Sequence, residues 1–180
     1  MARKAVHGAL LDVHGVGVLL LGPSGVGKSE CALELVARGH PLVADDVVEL
    51  RRGAAEERDG PGLYGSAPER IRHHMEIRGL GIIYIPDLYG PGAVREEMKI
   101  DLLCRLQKWR EGAEYERLGL DLQTEELAGL RLPVFTLPAR PGSSMATIVD
   151  VAAREYRQRS AGESAAARLD ARLQGEMKST

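Results

Sequence analysis

The stretch GPSGVGKSE, residues 22–30, constrains the fold of this chain more than any other part of its sequence. A nearly continuous apolar run, Val16–Leu21, precedes it and predicts a strand that is buried on both faces. Residues 29–38 follow and predict a helix, which Gly39 ends. Such a turn, between a buried strand and a helix, lets backbone N–H groups and the positive end of the helix dipole hold a phosphate. The sequence therefore predicts an α/β fold with a phosphate-binding loop.

The same stretch matches the G-x-x-x-x-G-K-[ST] template of nucleotide-binding loops. In that template the lysine, here Lys28, reaches the β- and γ-phosphates, and the hydroxyl of Ser29 binds Mg²⁺. The alternative is a glycine-rich turn with a solvent-facing lysine, but the flanking strand and helix favour nucleotide binding. We predict that the nucleotide is held by Gly22, Pro23, Ser24, Gly25, Val26, Gly27, Lys28 and Ser29.

Two adjacent carboxylates, Asp45 and Asp46, end the next apolar run. One of them, assigned here to Asp45, would hold Mg²⁺, and the other would accept a proton. Neighbours in a strand point to opposite faces, so both can serve only if the chain bends here. The alternative is a simple Asx turn before Val47. The N-K-x-D motif of guanine recognition is absent. This absence favours an enzyme that acts on a hydroxyl group of its substrate over a switch protein controlled by GTP hydrolysis.

Composition excludes several other classes of protein. The net charge of −2 and the aromatic content of 4% argue against a nucleic-acid partner. No apolar run is long enough to span a bilayer, and the N-terminal residues do not form a signal peptide, so we expect no membrane partner. The two cysteines, Cys31 and Cys104, suit reduced thiols in the cytoplasm.

Hydrophobic patterns and turn residues predict the rest of the secondary structure. Strands are expected at residues 6–13, 41–44, 47–51, 79–85, 98–106 and 132–137. Helices are expected at 67–75, at 145–159 and from 163 onward, and loops at 52–65, 87–96 and 138–144.

Four further motifs carry a family resemblance: VADD at 43–46, EIRGLGIIY at 76–84, RLGL at 117–120 and PARPG at 138–142. Together they closely resemble the catalytic domain of bacterial HPr kinase/phosphorylase. The resemblance implies a single α/β, P-loop-containing domain with a mainly β core flanked by helices, like the HPr kinase/PEP carboxykinase nucleotide-binding fold. It implies a catalytic domain at residues 1–160 and a helical tail at 161–180, without the N-terminal domain of full-length members.

The resemblance also implies an activity. Such an enzyme uses ATP and Mg²⁺ to phosphorylate a serine of the phosphocarrier protein HPr, and so regulates carbon metabolism and the sugar phosphotransferase system. It removes the phosphate with inorganic phosphate, releasing pyrophosphate, and it is a homo-oligomer, usually a hexamer. The alternatives are another P-loop kinase or ATPase, and a nucleotide-sensing module without catalysis.

Site residues follow from the matching motifs. The resemblance makes Asp46 the proton acceptor, and His7, Lys28 and Arg117 further catalytic residues. It makes Glu76 a Mg²⁺ ligand beside Ser29.

Each of these assignments has a structural alternative. Residue type alone would allow His7 to be a surface histidine, with His14 an equal candidate. Glu76 and Arg117 would serve equally well as partners in surface ion pairs, Glu76 with Arg72 or Arg78, and Arg117 with Glu114 or Glu116. The adjacent His73 and His74 are expected not to bind metal, and Trp109 is expected in the core.

One segment departs from the family pattern. Members usually continue P-x-R-P-G with Arg or Gln and then Asn, in a segment tied to dephosphorylation, where this chain has Ser143 and Ser144. We therefore expect the kinase direction to be retained and phosphorolysis to be slow. Residues 52–62 form a longer insertion than the family pattern, with no functional interpretation.

Overall fold

The computed structural model describes residues 4–117 and 119–178, with side chains as far as residue 175. The helices are α1 (Lys28–Ala37), α2 (Ile85–Tyr89), α3 (Met145–Ser160) and α4 (Ala165–Lys178), with 3₁₀ turns at Glu69–Ile71 and Pro91–Ala93. The strands are β1 (Lys4–His7), β2 (Ala9–Val13), β3 (Val16–Leu21), β4 (Leu42–Ala44), β5 (Val47–Gly53), β6 (Gly62–Ser66), β7 (His74–Ile77), β8 (Gly81–Tyr84), β9 (Glu97–Lys99), β10 (Leu102–Lys108), β11 (Gln123–Leu127) and β12 (Leu130–Ala139). None of the described helices has the length and apolar character needed to cross a membrane.

The strands form two large sheets and a hairpin. The central sheet has the order β11-β12-β10-β3-β2-β4, in which β12, β10 and β3 run parallel and the other neighbours are antiparallel. The second sheet has the antiparallel order β1-β5-β6-β9, and β7 pairs with β8 alone. This architecture confirms the mixed α/β class expected from the sequence.

The central strands β2 and β3 are buried along their whole length because they are covered on both faces. Alternate side chains such as Leu11 and Leu20 pack against α1 and α3. The intervening ones, such as Leu10 and Leu19, pack against the second sheet. Two apolar layers on either side of one sheet explain the continuous apolar run that precedes the glycine-rich loop.

Four predicted elements were wrong in extent or type. The predicted strand at 6–13 is two strands, β1 and β2, that belong to different sheets. Residues 67–75 do not form a helix, because Pro68 and the left-handed His73 (φ 64°) leave room only for a 3₁₀ turn before β7 begins. The predicted strand at 98–106 is two strands, β9 and β10, that belong to different sheets. The loop at 52–65 is shorter than expected, since β5 and β6 extend into it and pair with each other.

Gly17 is required where β3 passes the β9–β10 connection. A Cβ on Gly17 would lie 1.7 Å from the carbonyl oxygen of Lys99, which is a backbone atom that cannot move alone. We expect Gly17→Ala to lower the free energy of unfolding by about 3 kcal/mol or more, as severe overpacking does. Gly92→Ala is the matched control, because a Cβ there meets nothing within 4 Å. Equal denaturant midpoints for the two variants would contradict this assignment.

Candidate active site

The glycine-rich loop borders a cavity of about 550 Å³. Gly25 and Gly27 have φ values of 78° and 102°, which residues with a side chain rarely adopt. Gly27 is also the N-cap of α1 and provides no capping side chain, so the N–H groups of the first turn lack that partner. The residues of the stretch 22–30 on the cavity wall are Ser24, Gly25, Gly27, Lys28, Ser29 and Glu30. Of the expected nucleotide-binding residues, Gly22, Pro23 and Val26 are not among the residues that line the cavity.

Lys28 is held inside the loop. Its ammonium group donates to the carbonyl oxygens of Gly22 and Pro23, at 2.9 and 3.0 Å. Burial lowers the pKa of Lys28, and the nearby carboxylates of Asp45 and Asp46 oppose that shift. The backbone carbonyls of Gly22 and Pro23 therefore position the side chain of Lys28, which borders the cavity.

Asp45 follows β4 and is buried at the bottom of the cavity. The hydroxyl of Ser29 lies 3.0 Å from each oxygen of its carboxylate and donates to it. Burial raises the pKa of Asp45 to about 6, although the bonds from Ser29 and from the Asp46 N–H act in the opposite direction. Among the described residues, Asp45 has no cation within ion-pair distance, so its charged form lacks a direct partner.

The chain does bend between the two acids, as the sequence argument requires. Asp46 has a φ of 68°, and its carbonyl oxygen accepts from the N–H of Gly8 at 3.1 Å. β1 pairs with β5 so that His7 lies opposite Val47, beside the bend. The Nδ1 of His7 is 3.0 Å from Oδ1 of Asp46, and both side chains are more than half exposed. Asp45 and Asp46 therefore border the same cavity, but the carboxyl group of Asp45 is buried and that of Asp46 is exposed to solvent.

The β7–β8 hairpin supplies the facing wall. It places His74, Glu76 and Arg78 at the cavity, and Arg70 borders the cavity from the preceding 3₁₀ turn. Glu76 is exposed, and the alternative partner Arg72 pairs with Glu96 instead. Arg70 and His74 were missed because the sequence predicted a helix at 67–75, and nothing in its local pattern linked either residue to the glycine-rich loop.

Arg117 is not brought to this cavity. It is exposed in an irregular segment between β10 and β11, and its side chain is not among the described groups that border the cavity. The next residue of the RLGL motif, Leu118, lies outside the described residues. The expected catalytic role of Arg117 stays a prediction.

The serine pair that departs from the family pattern has a structural role. Ser144 is the N-cap of α3, where it accepts from the N–H of Thr147 at 3.2 Å and donates to Glu34 at 2.8 Å. The hydroxyl of Ser143 donates to the carbonyl oxygen of Arg140 at 2.8 Å.

The expected core position of Trp109 is wrong. Trp109 is 39% exposed, and its ring stacks on that of Tyr115 with the centroids 4.9 Å apart. The Cζ atom of Arg140 lies over the Trp109 ring, 5.4 Å from its centroid. An aromatic residue in this irregular segment is thus covered by its neighbours rather than by the sheets.

Comparison with known proteins shows the family to which this chain belongs. Residues 1–173 match the HPr Serine kinase C-terminal domain. HPr kinase/phosphorylase of Caldicellulosiruptor bescii is 52% identical to this chain, and the match covers 97% of this chain and 55% of that protein. HPr kinase/phosphorylase of Caldanaerobacter subterraneus subsp. tengcongensis is 51% identical, and the match covers 93% of this chain and 53% of that protein. The chain thus spans about half the length of the curated relatives it matches. The solved Hpr(Ser) kinase/phosphatase from Coxiella burnetii superposes with a TM-score of 0.78 at 31% identity, covering 89% of this chain and 94% of that one.

Proposed function

We propose, because this chain belongs to the family of HPr serine kinase C-terminal domains, that it phosphorylates a serine of HPr with ATP and Mg²⁺ in the cytoplasm. The observation that carries the proposal is the pair of carboxylates with divided environments. Asp45 is buried against the hydroxyl of Ser29, whereas Asp46 is exposed beside His7. The buried carboxylate of Asp45 suits a cation, and the exposed carboxylate of Asp46 suits the hydroxyl group of an incoming substrate.

The residues present fit a P-loop site for Mg-ATP. The glycine-rich loop and the uncapped start of α1 suit phosphate oxygens, and Lys28 would offset their charge. The hydroxyl of Ser29 and the carboxylates of Asp45 and Glu76 are oxygen donors of the kind that Mg²⁺ prefers, and they would hold it. Mg²⁺, when bound, offsets the charge that develops on the phosphates. Burial of an unpaired Asp45 supports this fit, because a bound cation would stabilise its charged form.

Asp46 is the proposed proton acceptor. The serine oxygen of HPr attacks the γ-phosphorus of ATP, the bond from that phosphorus to the β–γ bridging oxygen breaks, and ADP leaves. Asp46 takes the proton of the serine hydroxyl as the new P–O bond forms. His7, whose Nδ1 is 3.0 Å from Oδ1 of Asp46, orients the carboxylate. The exposure of both side chains leaves room for a protein substrate.

The reverse reaction uses the same groups. An oxygen of inorganic phosphate attacks the phosphorus of phosphoserine, pyrophosphate forms, and the serine oxygen leaves with the proton of Asp46. The names of the curated relatives, which include phosphorylase, support this direction as part of the proposal.

We predict that phosphorolysis is slow relative to the kinase reaction. Ser143 and Ser144 stand where the family pattern has longer hydrogen-bonding side chains, and loss of one charged hydrogen bond corresponds to about tenfold in rate or more. The double variant Ser143→Arg, Ser144→Asn should raise pyrophosphate release from phospho-HPr. Ser144→Asn alone separates the contribution of the second position from that of the first, and asparagine preserves the N-cap of α3. A wild-type phosphorolysis rate equal to its kinase rate would refute this prediction.

Assembly into a hexamer is also proposed. Two leucines of α4, Leu169 and Leu173, are about half exposed, at 52% and 50%, and would be covered by a neighbouring subunit. Sedimentation equilibrium tests this, and a monomer at all concentrations would reject it.

Intact-mass measurement of HPr after incubation with the protein and Mg-ATP tests the function. The proposal predicts one added phosphate per HPr molecule. Consumption of ATP without any change in the mass of HPr would favour a different P-loop kinase or an ATPase. Binding of ATP with neither consumption nor transfer would favour a nucleotide-sensing module.

A further inference from the structure

A second cluster of potential ligands lies away from the nucleotide cavity. His14 belongs to the turn between β2 and β3, His40 follows α1, and Asp150 belongs to α3. The Nε2 of His14 is 2.5 Å from Oδ1 of Asp150, and the Nε2 of His40 is 3.4 Å from the same oxygen. None of the three residues borders the cavity described above. The fold therefore brings three donor groups from distant parts of the chain to one point.

The three donor atoms have the types and spacing of a metal site. One donor atom from each residue lies within 4.8 Å of the others. Two imidazole nitrogens with one carboxylate oxygen form a common ligand set of Zn²⁺, with a water molecule completing the tetrahedron. Zinc-ligand bonds of about 2.0–2.2 Å separate tetrahedral ligand atoms by about 3.3 Å. The His40–Asp150 distance already matches that separation, and the His14–Asp150 pair must open by less than about 1 Å. The donor atoms of the two histidines, which lie within 4.8 Å of each other, must close toward it.

Neighbouring groups hold the ligands in place. The Nε of Arg154 donates to Oδ2 of Asp150 at 2.9 Å, which leaves Oδ1 directed at the two histidines. A guanidinium nitrogen of Arg157 donates to the carbonyl oxygen of His14 at 3.2 Å. Outer contacts of this kind orient the ligands of protein metal sites. The histidine rings meet edge to face, with centroids 4.5 Å apart, so both nitrogens reach one oxygen without ring overlap.

The cluster is buried enough to select a cation and open enough to admit one. The side chains of His14, His40 and Asp150 are 23%, 11% and 20% exposed. A water ligand can therefore reach the cation from solvent, while the protein excludes most of the competing water.

We propose that His14, His40 and Asp150 form a binding site for Zn²⁺ that is separate from the Mg-ATP site. A cation there would join the β2–β3 turn, the end of α1 and the middle of α3. Since α1 begins at the phosphate-binding loop, the site fixes the far end of the helix that carries Lys28 and Ser29. With three protein ligands and one water the site stays open on the solvent side, and it does not depend on which phosphoryl acceptor the protein uses.

Competition with a chromophoric zinc chelator, on the full chain with excess Mg-ADP filling the nucleotide cavity, tests the proposal. We expect one Zn²⁺ per chain. Loss of an outer contact alone weakens metal binding about 10–100-fold, so His40→Gln and Asp150→Asn should each weaken it at least about 100-fold. His14→Asn should do the same, and asparagine tolerates the φ of 56° at that position. His73→Asn is the matched control, because His73 has a similar left-handed backbone (φ 64°), and it should leave the affinity unchanged.

Substitution of Co²⁺ for Zn²⁺ provides a second readout. The wild-type complex should show the intense visible bands of tetrahedral cobalt, and the three ligand variants should lose them. Circular dichroism of each zinc-free variant checks that it is folded, and added Zn²⁺ should raise the melting temperature of the wild type only. Zinc affinity that survives in all three variants, or that is lost in His7→Gln instead, would overturn the proposal. The absence of stoichiometric binding by the wild type would overturn it as well.

Discussion

Asp46→Asn is expected to lower phosphoryl transfer to HPr by about 10²–10⁴-fold, the contribution usual for a positioned general base. Asparagine has nearly the shape of aspartate but cannot accept the proton of the serine hydroxyl. It also tolerates the left-handed backbone at this position, φ 68°, so the fold should be unchanged. The affinity for Mg-ATP should survive, because the phosphates are assigned to the glycine-rich loop and the cation to Ser29, Asp45 and Glu76.

Initial rates of phospho-HPr formation, together with calorimetric titration of a non-hydrolysable ATP analogue, measure the two effects separately. Asp59→Asn is the control, since Asp59 is an exposed acid in the β5–β6 loop that does not border the cavity. If Asp46→Asn lost nucleotide affinity in proportion to its rate, Asp46 would be chiefly a metal ligand.

Asp45→Asn is expected to stabilise the nucleotide-free protein while it weakens Mg-nucleotide binding. The pKa of Asp45 rises to about 6 from its usual 3.8, mainly because the carboxyl is buried. A pKa shift of this size lowers the free energy of unfolding by about 3 kcal/mol when the carboxyl group is ionised. The neutral asparagine avoids most of that penalty, so we expect a gain of about 1–3 kcal/mol at pH 8. The same change removes an anionic ligand and should weaken Mg-nucleotide binding at least about tenfold.

The sign of the pH dependence provides an internal check. Since the folded pKa is above the unfolded one, the stabilising effect of the neutral Asp45 is present below about pH 4 and is lost as the pH rises through about 6. The advantage of Asp45→Asn over the wild type should therefore fall to about half when the pH is lowered from 8 to 5. Urea denaturation at both pH values measures this, with Asp59→Asn as control. An advantage that grew on acidification would show that burial of Asp45 is not the cause.

The parts of the site that could be predicted from sequence are those fixed by short-range chemistry. The glycine-rich loop, the strand before it and the helix after it follow from residues within a few positions of one another. The requirement that the chain bend at Asp46 followed from strand geometry alone, and the left-handed backbone there meets it. The resemblance also indicated His7 and Glu76, which lie on the same cavity from two different sheets.

Long-range pairing determines most of what sequence reasoning missed. The division between β9 and β10 depends on Gly17 and Leu63, whose backbone groups bond to Asp101 and Ile100. The strand β11, with the sequence QTEEL, is polar and sits at the edge of the sheet, so no apolar alternation marked it. The contact between His14 and Asp150 joins residues 136 positions apart, and no local pattern could indicate it.

The ratio of ADP formed to phosphoserine formed on HPr, followed over one time course, tests the central claim most directly. The account assigns the cavity to transfer from ATP to a protein serine, with Asp46 accepting the proton. It predicts that the two products appear in equal amounts and that both stop in Asp46→Asn. ADP that accumulates at the same rate with and without HPr, with no phosphoserine formed, would contradict it.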